Sequence, residues 1–368
     1  HTRGAEVGAV GFVMIYTLCL FAFKNSRIVY ILSYISSPTR NSSEKQKLNA
    51  AKQKVIYIGK YLIDSMATIA IIGGPASGKT VVAGLMYEAV TIARTGQIKE
   101  YDYYPSEEDL TSWFGTKRDD KFDLEMGSDE TTLNYLRDHV ISQLRTGEFP
   151  PATSPTELHL LRFNFRIPSL FRTKNQPIGI YEIGGERVKK ILSIIAEAKD
   201  KGTILRSIKG EDILRTLLQS EVIIVLVNSE LCIPLSFKDI KEAKEISKKQ
   251  TDSDFDTAIL LTAIRNYKQH MGEKIKALGI LFTMHDKVMN VLPLNTRQQY
   301  EDVIRTSMRS TWTQFCYIKD DYKIDNVKYF KSGIHTSYDE EEEIEKPAMP
   351  LRFYIRDYLD LLYWLIRI

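Results

Sequence analysis

From about residue 66 onward, short apolar runs alternate with stretches of helical periodicity. Residues 66–72 (MATIAII) form a brief apolar run that stops at a glycine pair. Residues 80–93 (TVVAGLMYEAVTIA) repeat apolar positions at helical spacing. Residues 159–167 (HLLRFNFRI) alternate with period two, as a half-exposed strand does. Residues 177–183, 222–227 (VIIVLV) and 278–282 are unbroken apolar runs, suited to strands buried on both faces. Helical stretches between such runs predict a largely parallel α/β sheet. The strands at 159–167 and 177–183 are close enough to form an antiparallel edge pair. Residues 351–366 read as a helix, apolar on several faces, that packs on the sheet or makes a second membrane contact.

The front of the chain has another pattern. Residues 7–23 (VGAVGFVMIYTLCLFAF) carry no charge. About 17 residues is the short end of what spans a bilayer as a helix. Apolar character resumes at residues 28–32, past Lys24 and Arg27, whose long side chains can snorkel to the headgroups. We therefore expect a single-pass anchor within residues 1–37, with residues 7–37 meeting the membrane. Lys24, Arg27, Arg40, Lys45, Lys47, Lys52 and Lys54 follow the apolar run, and only Arg3 and Glu6 precede it. The positive-inside rule then places the rest of the chain in the cytoplasm. Residues 38–60 read as a linker or helix, and residues 61–368 as one α/β domain.

Composition narrows the choice. A chain 43% hydrophobic and 26% charged has the ordinary globular mix. A net charge of +3 makes no case for a nucleic-acid-binding face. Cys19, Cys232 and Cys316 lie far apart, and the six histidines show no metal-ligand spacing. The acidic run at residues 339–343 reads as a solvated loop.

The chemistry starts at Gly73-Gly74-Pro75-Ala76-Ser77-Gly78-Lys79-Thr80, which fits GxxxxGK followed by Thr. Glycines let successive backbone N–H groups curl toward phosphate oxygens. Lys79 brings a positive charge to the β- and γ-phosphates, and the Thr80 hydroxyl ligates Mg²⁺. The following helix adds its positive end. The phosphate site is thus Gly73, Gly74, Ala76, Ser77, Gly78, Lys79, Thr80 and Val81.

Three later segments point the same way. In Tyr181-Glu182-Ile183-Gly184-Gly185-Glu186 a carboxylate ends a buried run, placed to hold Mg²⁺ through water, and Gly185 can offer its N–H to the γ-phosphate. This segment resembles the DxxG of GTPases, with Glu182 in place of Asp. Thr283-Met284-His285-Asp286 follows the run at 278–282 and looks like (N/T)KxD, in which the Asp accepts both donors of the guanine edge. Met284 departs from the pattern where the family has Lys. Thr153, in Pro150-Pro151-Ala152-Thr153, resembles the threonine that completes the Mg²⁺ shell, with Thr156 as its rival. Ser332-Gly333 resembles the last guanine-contacting loop.

In this order the motifs resemble a TRAFAC-type GTPase. PPxT, YExxGE and the final LLYWL are similar to the bacterial and archaeal double-GTPase group. The resemblance implies a P-loop three-layer sandwich with a mostly parallel sheet, and a slow, membrane-anchored GTPase switch. It implies GTP/GDP with Mg²⁺, and metal contacts from Thr80, Thr153 and Glu182. Lys79, Thr153, Gly185 and Glu186 are the implied catalytic set. Thr283, Asp286, Ser332 and Gly333 are the implied base-reading set. Glu186 is not the glutamine that positions water in Ras-like proteins. An ATPase, or a membrane protein with a degenerate nucleotide site, stays open. Residues 96–147 and 230–276 exceed a minimal GTPase and are candidate surfaces for a protein partner.

Overall fold

Period-two alternation along the central strands sorts their side chains into two cores. In the computed structural model the first strand, β1 (Ile69–Gly73), sends Ile69 and Ile71 to one face and Ala70 and Ile72 to the other. The structure describes residues 68–74, 77–95, 97–102, 125–127, 130–151, 159–167, 174–182, 186–233, 240–340, 342 and 344–368. They belong to the compact unit Ala67–Ile368. The anchor and linker expected at residues 1–60 lie outside the described residues.

After β1 come α1 (Lys79–Thr95) and the single turn α2 (Ile98–Tyr101). A short strand, β2 (Glu125–Gly127), precedes α3 (Glu130–Tyr135), which runs through a π-helical stretch, Leu136–Ile141, into α4 (Ser142–Arg145). Strands β3 (His159–Ile167) and β4 (Lys174–Glu182) follow, then α5 (Glu186–Glu197), α6 (Lys201–Ser207) and α7 (Asp212–Leu218). Strand β5 (Val222–Asn228) leads to the long helix α8 (Ile240–Met271) and β6 (Ala277–Thr283). Helices α9 (Arg297–Ser307) and α10 (Arg309–Asp321) precede β7 (Val327–Lys331). A hairpin of β8 (Thr336–Asp339) and β9 (Ile344–Pro347) comes before the last helix, α11 (Ile355–Arg367).

Among the described residues the main sheet has the order β2-β3-β4-β1-β5-β6-β7. Strands β4, β1, β5, β6 and β7 are parallel, and β2 and β3 are antiparallel to their neighbours. The sheet is mostly parallel, as the apolar runs predict. The antiparallel pair β3–β4 forms, but β2 lies outside it, so the pair sits one strand in from the edge. No apolar run announces β2, which is three residues long and lies within the 96–147 stretch.

Helices cover both faces. Val222, Ile224 and Leu226 of β5 pack with α1, the π-helical stretch and α11. Ile223, Val225 and Val227 pack with α5, α6, α7, α8, α9 and α10. Truncating a fully buried Ile or Leu among these, such as Ile224 or Leu226, to Ala costs about 2–5 kcal/mol. Helix α11 buries Tyr358, Leu359, Leu361, Leu362 and Leu365 in the first core, so its apolar side faces protein. The 230–276 stretch is chiefly α8, the crossover between β5 and β6, and packs on α5 and α10. Among the described residues no helix is long and apolar enough to cross a membrane.

The chain leaves β1 toward β4 on one side and β5 on the other. In open α/β sheets the ligand crevice lies outside the carboxyl ends of the strands where the order reverses, which here is beyond β1. The glycine loop starts there.

Candidate functional site

The loop after β1 is shaped by close approach and one left-handed residue. A side chain at Gly73 would put its Cβ 2.6 Å from Ser77 Oγ and 2.9 Å from Leu226 Cβ. One at Gly74 would collide with Ser253 of α8, whose Cα would lie 3.0 Å away. Gly78 has φ +76°, which glycine alone adopts without steric penalty. Val82 N–H then donates to Gly78 O at 2.8 Å, starting α1. The first N–H groups of a helix have no acceptor within it, and here they face the crevice end of the sheet. Lys79 Nζ donates to Gly74 O at 2.9 Å, Gly73 O at 3.2 Å and Ser77 Oγ at 3.4 Å. Ser77 and Thr80 are buried in the first turn and the loop, and Val81 follows them in α1.

A second segment is tied to this loop. Strand β6 ends at Thr283, whose hydroxyl donates to Ser77 O at 3.0 Å and lies 3.3 Å from Val227 O. Met284 takes a left-handed conformation (φ 54°, ψ 32°). Such a backbone costs a non-glycine residue roughly 1–2 kcal/mol. Its Cε lies 3.8 Å from where a Cβ on Gly78 would stand. Thr283 thus braces the phosphate loop, one residue before the position at which the resembled motif carries Lys.

The left-handed turn delivers Asp286 to Ser332-Gly333. Ser332 N–H donates to Phe282 O at 2.7 Å, and His285 N–H donates to Ser332 O at 2.9 Å. Asp286 Oδ1 accepts from Ile334 N–H at 3.1 Å. A Cβ on Gly333 would lie 2.5 Å from that same oxygen, so only glycine fits against the carboxylate. Burial pushes the Asp286 carboxyl up to about 6 and Glu230 adds to this, while the Ile334 N–H and Lys287 act the other way. Burial, helped by Lys331, lowers His285 to about 4. Its neutral ring donates from Nε2 to Leu292 O at 3.1 Å, leaving Nδ1 to accept from Tyr354 Oη at 3.4 Å. Lys287 pairs with Glu345 of β9 at 2.8 Å and with Glu230 at 3.5 Å.

Ser332 differs from its sequence-based role in one respect. It is buried, and its hydroxyl shares a hydrogen bond with Tyr358 of α11. Its side chain points into the core and shapes the loop, leaving the crevice face to Gly333 and Asp286.

The switch-like residues are placed less fully. Glu182 ends β4, next to β1; the register Ile71–Ile180 carries it level with Gly73. Glu186 opens α5. The side chains of Glu182 and Glu186, and Ala76, Thr153 and Gly185 as a whole, lie outside the described residues. Helix α5 is joined to α8 by Lys189 Nζ and Asp256 Oδ2 at 2.5 Å. Both helices, with Gly73 and Gly74, line a cavity of about 160 Å³. Sequence reasoning missed Ser253, Ile334, Lys287 and Tyr358 as parts of the site. Only Ile334 carried a signal, by directly following Ser332-Gly333.

No family model and no curated protein matches the chain. Among solved structures it is similar to a bacterial selenocysteine-specific elongation factor, EF-Sec, at 10% identity and TM-score 0.26, over 72% of this chain and 25% of that one. It is similar to the S. cerevisiae Ski7 GTPase-like domain bound to GDP and inorganic phosphate, at 10% identity and TM-score 0.30. The same domain bound to GTP gives 9% identity and TM-score 0.29; each covers 74% of this chain and 44% of the other. The chain spans less than half the length of each of these structures. Likeness of this size carries no argument, and the functional reading rests on the side chains above.

Proposed function

We propose that this chain binds guanine nucleotides with Mg²⁺ and acts as a slow, membrane-anchored GTPase switch. The observation that supports it most is one connected edge. Thr283 joins the phosphate loop to the turn bearing Asp286, and Asp286 is held against Gly333 and Ile334. Segments more than 200 positions apart in sequence meet there. A phosphate loop alone serves many triphosphatases; a partly buried carboxylate one turn from it adds a reader of the base.

The residues fit the nucleotide. At positions 73 and 74 the backbone packs against Ser77, Leu226 and Ser253 with no room for a Cβ, and Lys79 lies over loop carbonyls. Bound Mg²⁺ would neutralise phosphate charge during phosphoryl transfer. Thr80 would hold it directly, with Glu182 through water and Thr153 when the γ-phosphate is present. Lys79 orients the β- and γ-phosphates. Asp286 accepts from N1–H and the 2-amino group of guanine, a donor pair that adenine lacks. Release of the γ-phosphate would free the segments of Thr153 and Gly185 and alter the start of α5. Glu186 leaves the water without a Ras-like glutamine, which favours slow turnover.

The membrane part rests on the uncharged run at residues 7–23 and the lysines and arginines after it. A chain beginning near Ser43 should leave the membrane fraction and still bind nucleotide. The base assignment is tested by competition. GTP should displace a labelled nucleotide from the purified protein well ahead of ATP. Asp286→Asn should weaken GTP more than xanthosine triphosphate, which presents an oxygen where guanine has its amino group. Equal displacement by GTP and ATP overturns the guanine reading and leaves a P-loop triphosphatase of other specificity.

A further inference from the structure

Between Ser332-Gly333 and the last helix the chain makes a detour and comes back. It leaves at Ile334, passes through β8 and β9, and returns at residues 351–354 beside its point of departure. Ile334 and Phe353 form an antiparallel bridge. His335 N–H donates to Arg352 O at 2.8 Å, and Tyr354 N–H donates to Gly333 O at 3.1 Å. Helix α11 then carries Tyr358 beneath the loop, where its hydroxyl meets Ser332 Oγ. Ser332 is 4% exposed and Tyr358 1%.

The returning segment is itself pinned. Phe353 N–H donates to Tyr101 O at 3.1 Å, and Arg356 pairs with Asp102 at 2.8 Å. Glu345 of the hairpin binds Lys287, the neighbour of Asp286 in sequence. On the other side of the loop there is no slack. Gly333 lies so close to Asp286 that not even a methyl group fits, and Ile334 N–H holds the carboxylate. A shift of Ser332 is therefore passed to Asp286 through two adjoining residues.

We propose that residues 351–358 form a clamp that sets base selectivity, with Tyr358 as a positioning residue: it holds Ser332 from below and so fixes Gly333 and Ile334 against the carboxylate that reads the base. This rests on the guanine reading of Asp286. The physical reason is that a buried hydroxyl left without a partner is unfavourable, which keeps the Ser332–Tyr358 bond closed. Guanine and hypoxanthine differ in the single 2-amino donor. Its contact to Asp286 depends on the aim of that carboxylate, whereas the phosphate contacts at residues 73–80 do not.

The test is titration of the full chain with GTP, inosine triphosphate and ATP, each with Mg²⁺, for the parent, Tyr358→Phe, Ser332→Ala and the double variant. Tyr358→Phe should reduce the preference for GTP over inosine triphosphate about three- to tenfold, the scale of one buried hydrogen bond. ATP, which lacks both the N1–H and the 2-amino donor, should bind within about twofold of the parent, because its phosphate contacts are untouched, and inosine triphosphate, which keeps the N1–H, should lose less than GTP. Ser332→Ala reads the same bond from its other end and should give the same loss, with no further loss in the double variant. A GTP-selective parent whose preference survives both single variants overturns the clamp alone, whatever their melting temperatures. A parent that binds ATP as tightly as GTP overturns the guanine reading and the clamp with it.

Discussion

The two ends of the proposed nucleotide site are built in different ways. The phosphate end is one contiguous stretch, residues 73–80, and its lysine bonds reach back no more than six positions. The base end is assembled from residues 283–287, 332–334 and 354–358, by bonds that span 26, 48 and 69 positions. A contiguous loop takes much of its shape from local backbone sterics, with Leu226, Ser253 and Thr283 packed against it. An assembled site exists only if distant elements pack correctly. Damage at the phosphate end should therefore abolish binding, and damage at the base end should blunt discrimination while binding persists.

The largest effect is expected at Lys79. Removing a cation proposed to meet two phosphates would forfeit charge-assisted hydrogen bonds of about 1.5–3 kcal/mol each. Lys79→Ala should weaken every nucleoside triphosphate by about 100-fold or more, GTP and ATP alike, on titration calorimetry. Binding at parental strength would remove the phosphate loop from the account. Gly333→Ala comes next and tests the other end. Its new methyl would overlap Asp286 Oδ1, so the carboxylate must turn away. GTP should lose about 10- to 100-fold against ATP, the scale of one charged hydrogen bond, with ATP nearly unchanged. Equal losses for both nucleotides would mean that the two ends are not separable.

Acidity gives a third way to divide them. Burial holds the Asp286 carboxyl at about 6, above its ordinary value of 3.8. A carboxyl raised in the folded state favours folding in its protonated form. That contribution is fully present below about pH 4 and is lost as pH rises toward 6. It amounts to about 3 kcal/mol at most, by linkage. Guanine needs the ionised form. GTP affinity should fall up to tenfold per pH unit below 6, relative to Asp286→Asn, which shares every phosphate ionisation but not this one. Parallel pH curves for parent and variant would exclude Asp286 as the base contact.

The same contrast explains what was legible in the sequence. Strands β1, β5 and β6 are buried on both faces, and an unbroken apolar run is how such strands appear in a sequence. Lys79 and Gly78 were legible because their geometry is local. The resemblance put Asp286 and Gly333 in one implied set, but neither their close contact nor the bond to Ile334 N–H was legible, since a backbone donor leaves no mark on residue type. Ser332 shows the limit. Its place in the loop was legible, yet its hydroxyl turns inward because Tyr358, 26 positions later, lies one turn into α11. Strand β2 was missed because three residues at an edge carry no periodicity. The long α8 looked like an addition because its charged amino-terminal half masks a crossover helix.

The smallest effect concerns the junction between the two ends. Met284 stands where the resemblance calls for a lysine, and Thr283 supplies the brace to Ser77 O. Since Met284 already reaches toward Gly78, a lysine there would extend along the same path and carry its ammonium to the loop carbonyls or the nucleotide. It brings no new backbone strain, because both residues are unbranched at Cβ and occupy the same left-handed turn. One added hydrogen bond is worth about 0.5–1.5 kcal/mol, so Met284→Lys should tighten GTP by about two- to tenfold. Thr283→Val should act in the opposite sense by a similar factor, since it keeps the shape and removes the donor. If Met284→Lys tightens GTP in the parent but not in Thr283→Val, the two braces work through the same loop position. If it has no effect in either, the hydroxyl of Thr283 alone links the phosphate end to the base end, and the methionine is packing.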